Sequence, residues 1–143
     1  MLKGIPAILT PELLKILMEM GHGDEIVIGD GNFPAASCAA RLVRLDGHGV
    51  VPILEAMLRF FPLDNFVDAP VSLMAVAAGD EYVPEIWKEY KKVIQKHEGA
   101  QKIEQVERFA FYERARGAYA IVATGETALY ANIILKKGVV KGG

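Results

Sequence analysis

The chain has 143 residues, enough for one domain with a real core and too few for two ordinary ones. A net charge of −2 argues against a nucleic-acid surface, and no run approaches the roughly 18 unbroken apolar residues a membrane helix needs. A single cysteine, Cys38, excludes an internal disulfide and fits a reducing compartment; Pro6 and Pro11 interrupt any signal-peptide core, so the expected location is the cytoplasm.

Thr10 is placed to cap a helix with Pro11 at its first position, and Leu13, Leu14, Leu17 and Met18 give that helix its apolar face. Gly21 ends it. Glu25 to Ile28 has the length and β-branched content of a buried strand, and a loop from Asp30 through Asn32-Phe33-Pro34 follows. Arg41 to Leu45 reads as a short strand, and Asp46-Gly47-His48-Gly49 as a turn. Ile53, Leu54, Met57, Leu58 and Phe61 are spaced as on a helix that stops at Pro62.

Val71 to Ala78 reads as an apolar strand closed by Gly79-Asp80. Pro84 opens a helix carrying Ile86, Trp87, Tyr90 and Ile94, which stops at Gly99. Ile103 to Val106 is a further strand, Phe109 to Arg116 a helix ended by Gly117, and Ala118 to Ala123 and Ala131 to Leu135 the last two strands. Strands alternating with helices, without linker or repeat, indicate one layered α/β domain over residues 1–143. Strand order does not follow from this pattern. Hydrophobic residues make up 52% of the chain, more than a small monomer hides, so burial between subunits is expected.

Three clusters carry polar chemistry at element ends. His22, between Gly21 and Gly23, stands where a helix ends and a strand begins, and Asp30 stands just beyond that strand. A histidine titrates near neutral pH and is suited to acid/base work, and strand ends are where ligands sit in open α/β sheets. Equally, His22 could bond a neighbouring carbonyl, Asp30 could cap the following turn, and Asp24 reads as a turn cap alone. Arg108 opens the run Arg108-Phe109-Ala110-Phe111-Tyr112-Glu113-Arg114. A cation there opposes the helix dipole unless a ligand or carboxylate compensates it. Tyr130-Ala131-Asn132 offers a ring for stacking and an amide for hydroxyls, or a packed tyrosine and a turn-closing asparagine. His48 and His97 read as structural or solvent-facing. No spacing suits a metal site, and Gly29-Asp30-Gly31 matches neither a dinucleotide nor a phosphate loop, so neither metal nor cofactor is expected.

Taken together, EMGHGDEIVIGDGNFPAAS (19–37), RFAFYERA (108–115), TGE (124–126) and YANIILKKGV (130–139) resemble the fucose-mutarotase and ribose-pyranase family, RbsD/FucU, over about Leu2 to Val139. RFAFYERA with Asn32-Phe33-Pro34 is similar to the fucose branch. The resemblance implies a central, mostly parallel sheet flanked by helices, and exchange of sugar anomers without cofactor or metal. It implies His22 as proton donor, with Asp30, Arg108 and Tyr130, Ala131 and Asn132 binding the monosaccharide, fucose or ribose. It also implies a decamer of two stacked pentameric rings with sites at subunit interfaces, and neither a nucleic-acid nor a membrane partner. The sequence departs at Asn32, where the bacterial fucose enzymes carry histidine, at Ala131, usual in the ribose branch, and at Tyr119, where phenylalanine is common. These departures bear on sugar preference more than on reaction class.

Anomer exchange opens a cyclic hemiacetal: the anomeric hydroxyl loses a proton while the ring oxygen gains one. On this reading His22 supplies the latter proton, and Asp30 binds sugar hydroxyls and holds the histidine's charge. Arg108 donates to sugar oxygens, and Asp30 or a water takes the anomeric proton. Phe33 or Tyr112 would give the apolar wall that fucose's methyl group needs. A sugar-binding module without catalysis, or a structural ring protein, are the readings of another class.

Overall fold

A computed structural model describes residues 1–142. The elements are α1 (Pro11–Glu19), β1 (Glu25–Gly29), α2 (Ala35–Cys38), β2 (Leu42–Leu45), α3 (Val50–Leu58), β3 (Val71–Met74), α4 (Ile86–Glu98), β4 (Ile103–Val106), α5 (Arg108–Gly117), β5 (Ala120–Thr124) and β6 (Ile133–Lys136). The strands form one sheet in the order β2-β5-β1-β6-β3-β4. β1, β2 and β5 run parallel to one another and β3 runs parallel to β4, whereas β6 is antiparallel to both β1 and β3. Five strands therefore point the same way, and β6 alone is reversed. This is the expected mostly parallel sheet.

Alternation along the strands sends successive side chains to opposite faces. Ile26, Ile28, Leu73, Val122, Ile133 and Leu135 pack with α1, α3 and α4 on one face. Val27, Ile121, Ala123 and Ile134 pack with α2 and α5 on the other. On the thinner α5 face Ser72 replaces a hydrophobe. It donates to Glu104 (2.7 Å) and accepts from Arg114 (2.9 Å), and Arg114 also pairs with Glu25, so this buried hydroxyl is satisfied.

Thr10 caps α1 as the sequence indicates, accepting from the Leu13 N–H at 3.2 Å. Leu13 and Leu17 are buried and Leu14 is half-buried, but Met18 is 81% exposed and lies outside the apolar face assigned to it. The predicted strand 71–78 stops at Met74. Leu73 faces Ile133, the first residue of β6, and Met74 faces Val106, the last of β4, so no ladder continues beyond them. Residues 75–83 leave the sheet as a loop instead. Sequence pattern also misses α2, a single turn whose Ala35 and Cys38 face the core behind Phe33.

Candidate active site

The reversed direction of β6 gathers the polar clusters. Its first residue lies beside the C-terminal ends of β1 and β3, so Tyr130-Ala131-Asn132, which leads into β6, meets Asp30 from the end of β1. Arg108, just past the end of β4, arrives at the same edge. The result is a cavity of about 310 Å³ lined by Asp30, Asn132, Tyr130, Arg108 and Tyr112, with Phe33, Met74 and Leu129 as its larger apolar walls. It lies at the C-terminal edge of the parallel strands, where open α/β sheets bind ligands, and its size suits a small molecule.

Asp30 is the floor. It is 7% exposed; Oδ1 accepts from the Asn32 N–H (3.0 Å) and Oδ2 from the Ala131 N–H (3.4 Å). Its own N–H donates to Asn132 Oδ1 at 2.8 Å, which fixes the asparagine's amide orientation, and Asn132 Nδ2 faces Met74 Sδ at 3.8 Å. Burial pushes the Asp30 carboxyl above the ordinary carboxylate value, and the backbone N–H bonds from Asn32 and Ala131 only partly oppose it. A carboxylate held this way is a stronger base than a solvated one.

The TGE run lies behind this floor. Thr124 donates to the Gly29 carbonyl (2.7 Å), the Gly31 N–H reaches the Glu126 carbonyl (2.8 Å), and Glu126 Oε1 accepts from Val50 N–H, capping α3 (3.0 Å). A Cβ on Gly31 would sit 2.9 Å from the Glu126 carbonyl oxygen, which explains a glycine there.

Tyr130 has φ 55, in the left-handed region that tyrosine rarely occupies. Two aromatic side chains of α4 hold this segment: Trp87 Nε1 donates to the Tyr130 carbonyl (2.8 Å) and the Tyr90 hydroxyl to the Ala131 carbonyl (2.7 Å). The sequence pattern marks both only as apolar helix positions; their polar tips are what matters here. Arg108 reaches across to Tyr112, donating from Nε to the phenol at 3.1 Å, with its guanidinium 5.6 Å from that ring's centre. That hydrogen bond holds the guanidinium above its ordinary value. The carboxylate anticipated opposite this cation at the helix start is Glu107, which caps α5 by accepting from Phe109 and Ala110 N–H (3.0 and 3.1 Å).

His22 is not in this cavity. It precedes β1 while Asp30 follows it, so five strand residues, about 16 Å at ~3.3 Å each, separate them. The carboxylate against the imidazole is Asp64 rather than Asp30: His22 Nε2 lies 3.0 Å from Asp64 Oδ1. Asp64 is 3% exposed and burial opposes its charge, yet bonds from the Phe66 N–H and from His22 hold it below the ordinary carboxylate value. The exposed Phe66 ring sits 5.2 Å from the imidazole. Lys137 braces this corner, donating from Nζ to the carbonyls of Leu17 (2.7 Å) and Met20 (2.5 Å) at the end of α1. Asp24 accepts from the Gly21 N–H at 2.7 Å, the turn cap foreseen for it. No sequence signal identifies Asp64, which lies 42 residues from its partner and outside any motif.

His97 Nε2 lies 3.0 Å from Glu55 Oε1 near the end of α4 without the alignment of a hydrogen bond, a structural position rather than part of the cavity. Among the described residues no helix is long and apolar enough to cross a membrane.

The sequence profile of the RbsD / FucU transport protein family matches residues 3–140. The L-fucose mutarotase of Actinobacillus pleuropneumoniae serotype 5b (strain L20) is 51% identical over 140 residues, covering 97% of each chain. The crystal structure of the fucose mutarotase from Streptococcus pneumoniae, in complex with L-fucose, superposes with a TM-score of 0.94 at 53% identity, covering 98% of this chain and 100% of that one. Bacillus subtilis RbsD, complexed with D-ribose, is further away, with a TM-score of 0.72 and 25% identity over 93% of this chain and 95% of its own. The chain belongs to the RbsD/FucU family.

Proposed function

We propose that this chain is an L-fucose mutarotase that opens and recloses the sugar's hemiacetal by general acid/base catalysis. The carrying observation is the Asp30 cavity, in a chain that matches a mutarotase crystallised with L-fucose much more closely than it matches the ribose-bound relative. The sugar lies over Asp30. Asp30 takes the proton of the anomeric hydroxyl, the bond between the anomeric carbon and the ring oxygen breaks, and the ring oxygen receives a proton from an acid. The free aldehyde rotates and the same groups run the steps in reverse. Arg108 donates to sugar oxygens, and Asn132 and Tyr130 set the sugar's orientation. Phe33, Met74 and Leu129 face the methyl group. A positioned acid and base supply roughly 10²–10⁴-fold, sufficient for a reaction that already proceeds in water.

His22 is the proton donor in this proposal, and it reaches the sugar from a second copy of the chain. Asp64 orients the imidazole and stabilises its charged form. Exposed Phe66 beside His22, Leu129 on the cavity wall and Phe109 against the cavity-lining Tyr112 support contact between copies at both half-sites. A decamer of two pentameric rings satisfies this requirement and absorbs the apolar surface. The lone, buried Cys38 suits the reducing cytoplasm.

Magnetisation-exchange NMR on the α and β anomers of L-fucose tests the proposal. Wild type accelerates exchange, and His22→Ala and Asp30→Asn abolish most of the acceleration while remaining folded. Wild-type binding of fucose without faster exchange would select the non-catalytic sugar-binding reading. Acceleration of ribose pyranose–furanose exchange alone would select the ribose reaction.

A further inference from the structure

Tyr130 carries a side-chain network that none of the assigned roles accounts for. Its hydroxyl donates to Asp80 Oδ2 at 2.7 Å and accepts from the Ala77 N–H at 3.3 Å. A phenol has one hydrogen and two lone pairs. Its hydrogen is committed to Asp80 and one lone pair to Ala77, so a single acceptor lone pair remains for a ligand. The other oxygen of Asp80, Oδ1, accepts from the Tyr82 N–H at 2.9 Å, closing the turn at Gly79-Asp80, and the Tyr82 ring stacks on Tyr130 with centroids 6.0 Å apart and planes at 28°. Both oxygens of one carboxylate are thus used, one to shape the 75–83 loop and one to orient the tyrosine. The Tyr82 N–H, and after it the Tyr130 phenol, hold the Asp80 carboxyl below the ordinary value, so the arrangement stays charged at neutral pH.

We propose that Asp80 is a positioning residue for the sugar site: it holds the Tyr130 hydroxyl as a pure hydrogen-bond acceptor, so this rim of the cavity selects ligands that present a donating hydroxyl. This rests on the proposed mutarotase function and adds to it a specificity element from the loop between β3 and α4. Without Asp80 the phenol hydrogen turns toward the ligand, the rim presents a donor, and the Tyr82 stack loses its anchor. The strained backbone at Tyr130 is fixed independently by Trp87 and Tyr90, so the loop can be altered without releasing the segment.

Trp87, the chain's one tryptophan, donates to the Tyr130 carbonyl and reports on the site directly. L-Fucose is titrated against Trp87 fluorescence, and anomer exchange is followed by NMR on the same samples. Asp80→Ala weakens fucose affinity by up to about tenfold, the scale of one hydrogen bond between neutral groups. In a Tyr130→Phe background Asp80→Ala has no further effect. Wild-type affinity in Asp80→Ala would overturn the proposal. So would an undiminished loss in the Tyr130→Phe background, which would mean that Asp80 touches the sugar itself. Fucose binding without accelerated exchange would instead sink the mutarotase reading, while the affinity comparison still decides the role of Asp80.

Discussion

Replacing Tyr90 with phenylalanine removes one oxygen atom from the core and leaves the ring that fills it. Tyr90 has no exposed surface, and neither has Ala131, whose carbonyl receives the Tyr90 hydroxyl at 2.7 Å. Burial pushes this phenol far above its ordinary value, so it is a hydrogen donor at every working pH. Tyr90→Phe leaves a buried carbonyl without that partner, which costs about 1–3 kcal/mol. For a chain of this length that lowers the thermal midpoint by roughly 3–10 °C. The loss falls on a segment already under strain, since Tyr130 at φ 55 holds a conformation worth about 1–3 kcal/mol of backbone energy. With one of its two clamps gone, Tyr130 relaxes, and fucose affinity falls with stability. Urea denaturation at fixed protein concentration, so that subunit association does not enter the comparison, measures the first effect and Trp87 fluorescence titration the second. Unchanged unfolding free energy together with unchanged affinity would refute the role given to α4.

The remaining expectations are briefer. Gly31→Ala places a Cβ 2.9 Å from the Glu126 carbonyl oxygen and disturbs the Gly31–Glu126 bond, so sugar affinity drops; calorimetric titration with fucose checks it. Because burial raises the native Asp30 carboxyl, the exchange rate is expected to fall on acidification with a midpoint above the ordinary 3.8, which a pH–rate profile reads directly. The stability linkage has opposite signs at the two acids. Asp30, raised, contributes most below about pH 3.8 and loses that contribution as pH rises through its native value. Asp64, lowered, contributes above about pH 3.8 and loses that contribution as pH falls through its native value. Asp30→Asn should therefore flatten the first trend and Asp64→Asn the second in denaturation curves taken across pH. Phe66→Ala removes an exposed ring from the imidazole and should slow exchange while leaving the unfolding midpoint within error.

Much of the sheet is legible in the chain. Glu25 to Ile28 and Ala131 to Leu135 read as buried strands because β-branched residues cover both of their faces, and Thr10-Pro11 marks its helix start by capping chemistry alone. Strand order is not legible. Nothing local to Ile133–Lys136 says that it inserts, reversed, between β1 and β3, yet that insertion brings Asn132 to Asp30. The candidate cavity follows the motifs well: Asp30, Arg108, Tyr130 and Asn132 converge, and Ala131 contributes its backbone N–H. The partners of His22 and Tyr130 are hidden, because Asp64, Asp80 and Trp87 reach their contacts from 42 to 50 residues away. The separation of His22 from Asp30 is a matter of strand length, since a histidine before a strand and an aspartate after it stand at opposite edges of the sheet.

That separation makes the two-copy site the point on which the account turns. Co-expression of His22→Ala and Asp30→Asn chains, with purification of the mixed assembly, tests it most directly. Each variant alone is inactive in fucose anomer exchange, whereas the mixture regains activity at about a quarter of its sites, those where an intact His22 meets an intact Asp30 from its neighbour. A mixture no more active than the two variants measured separately would contradict the shared site.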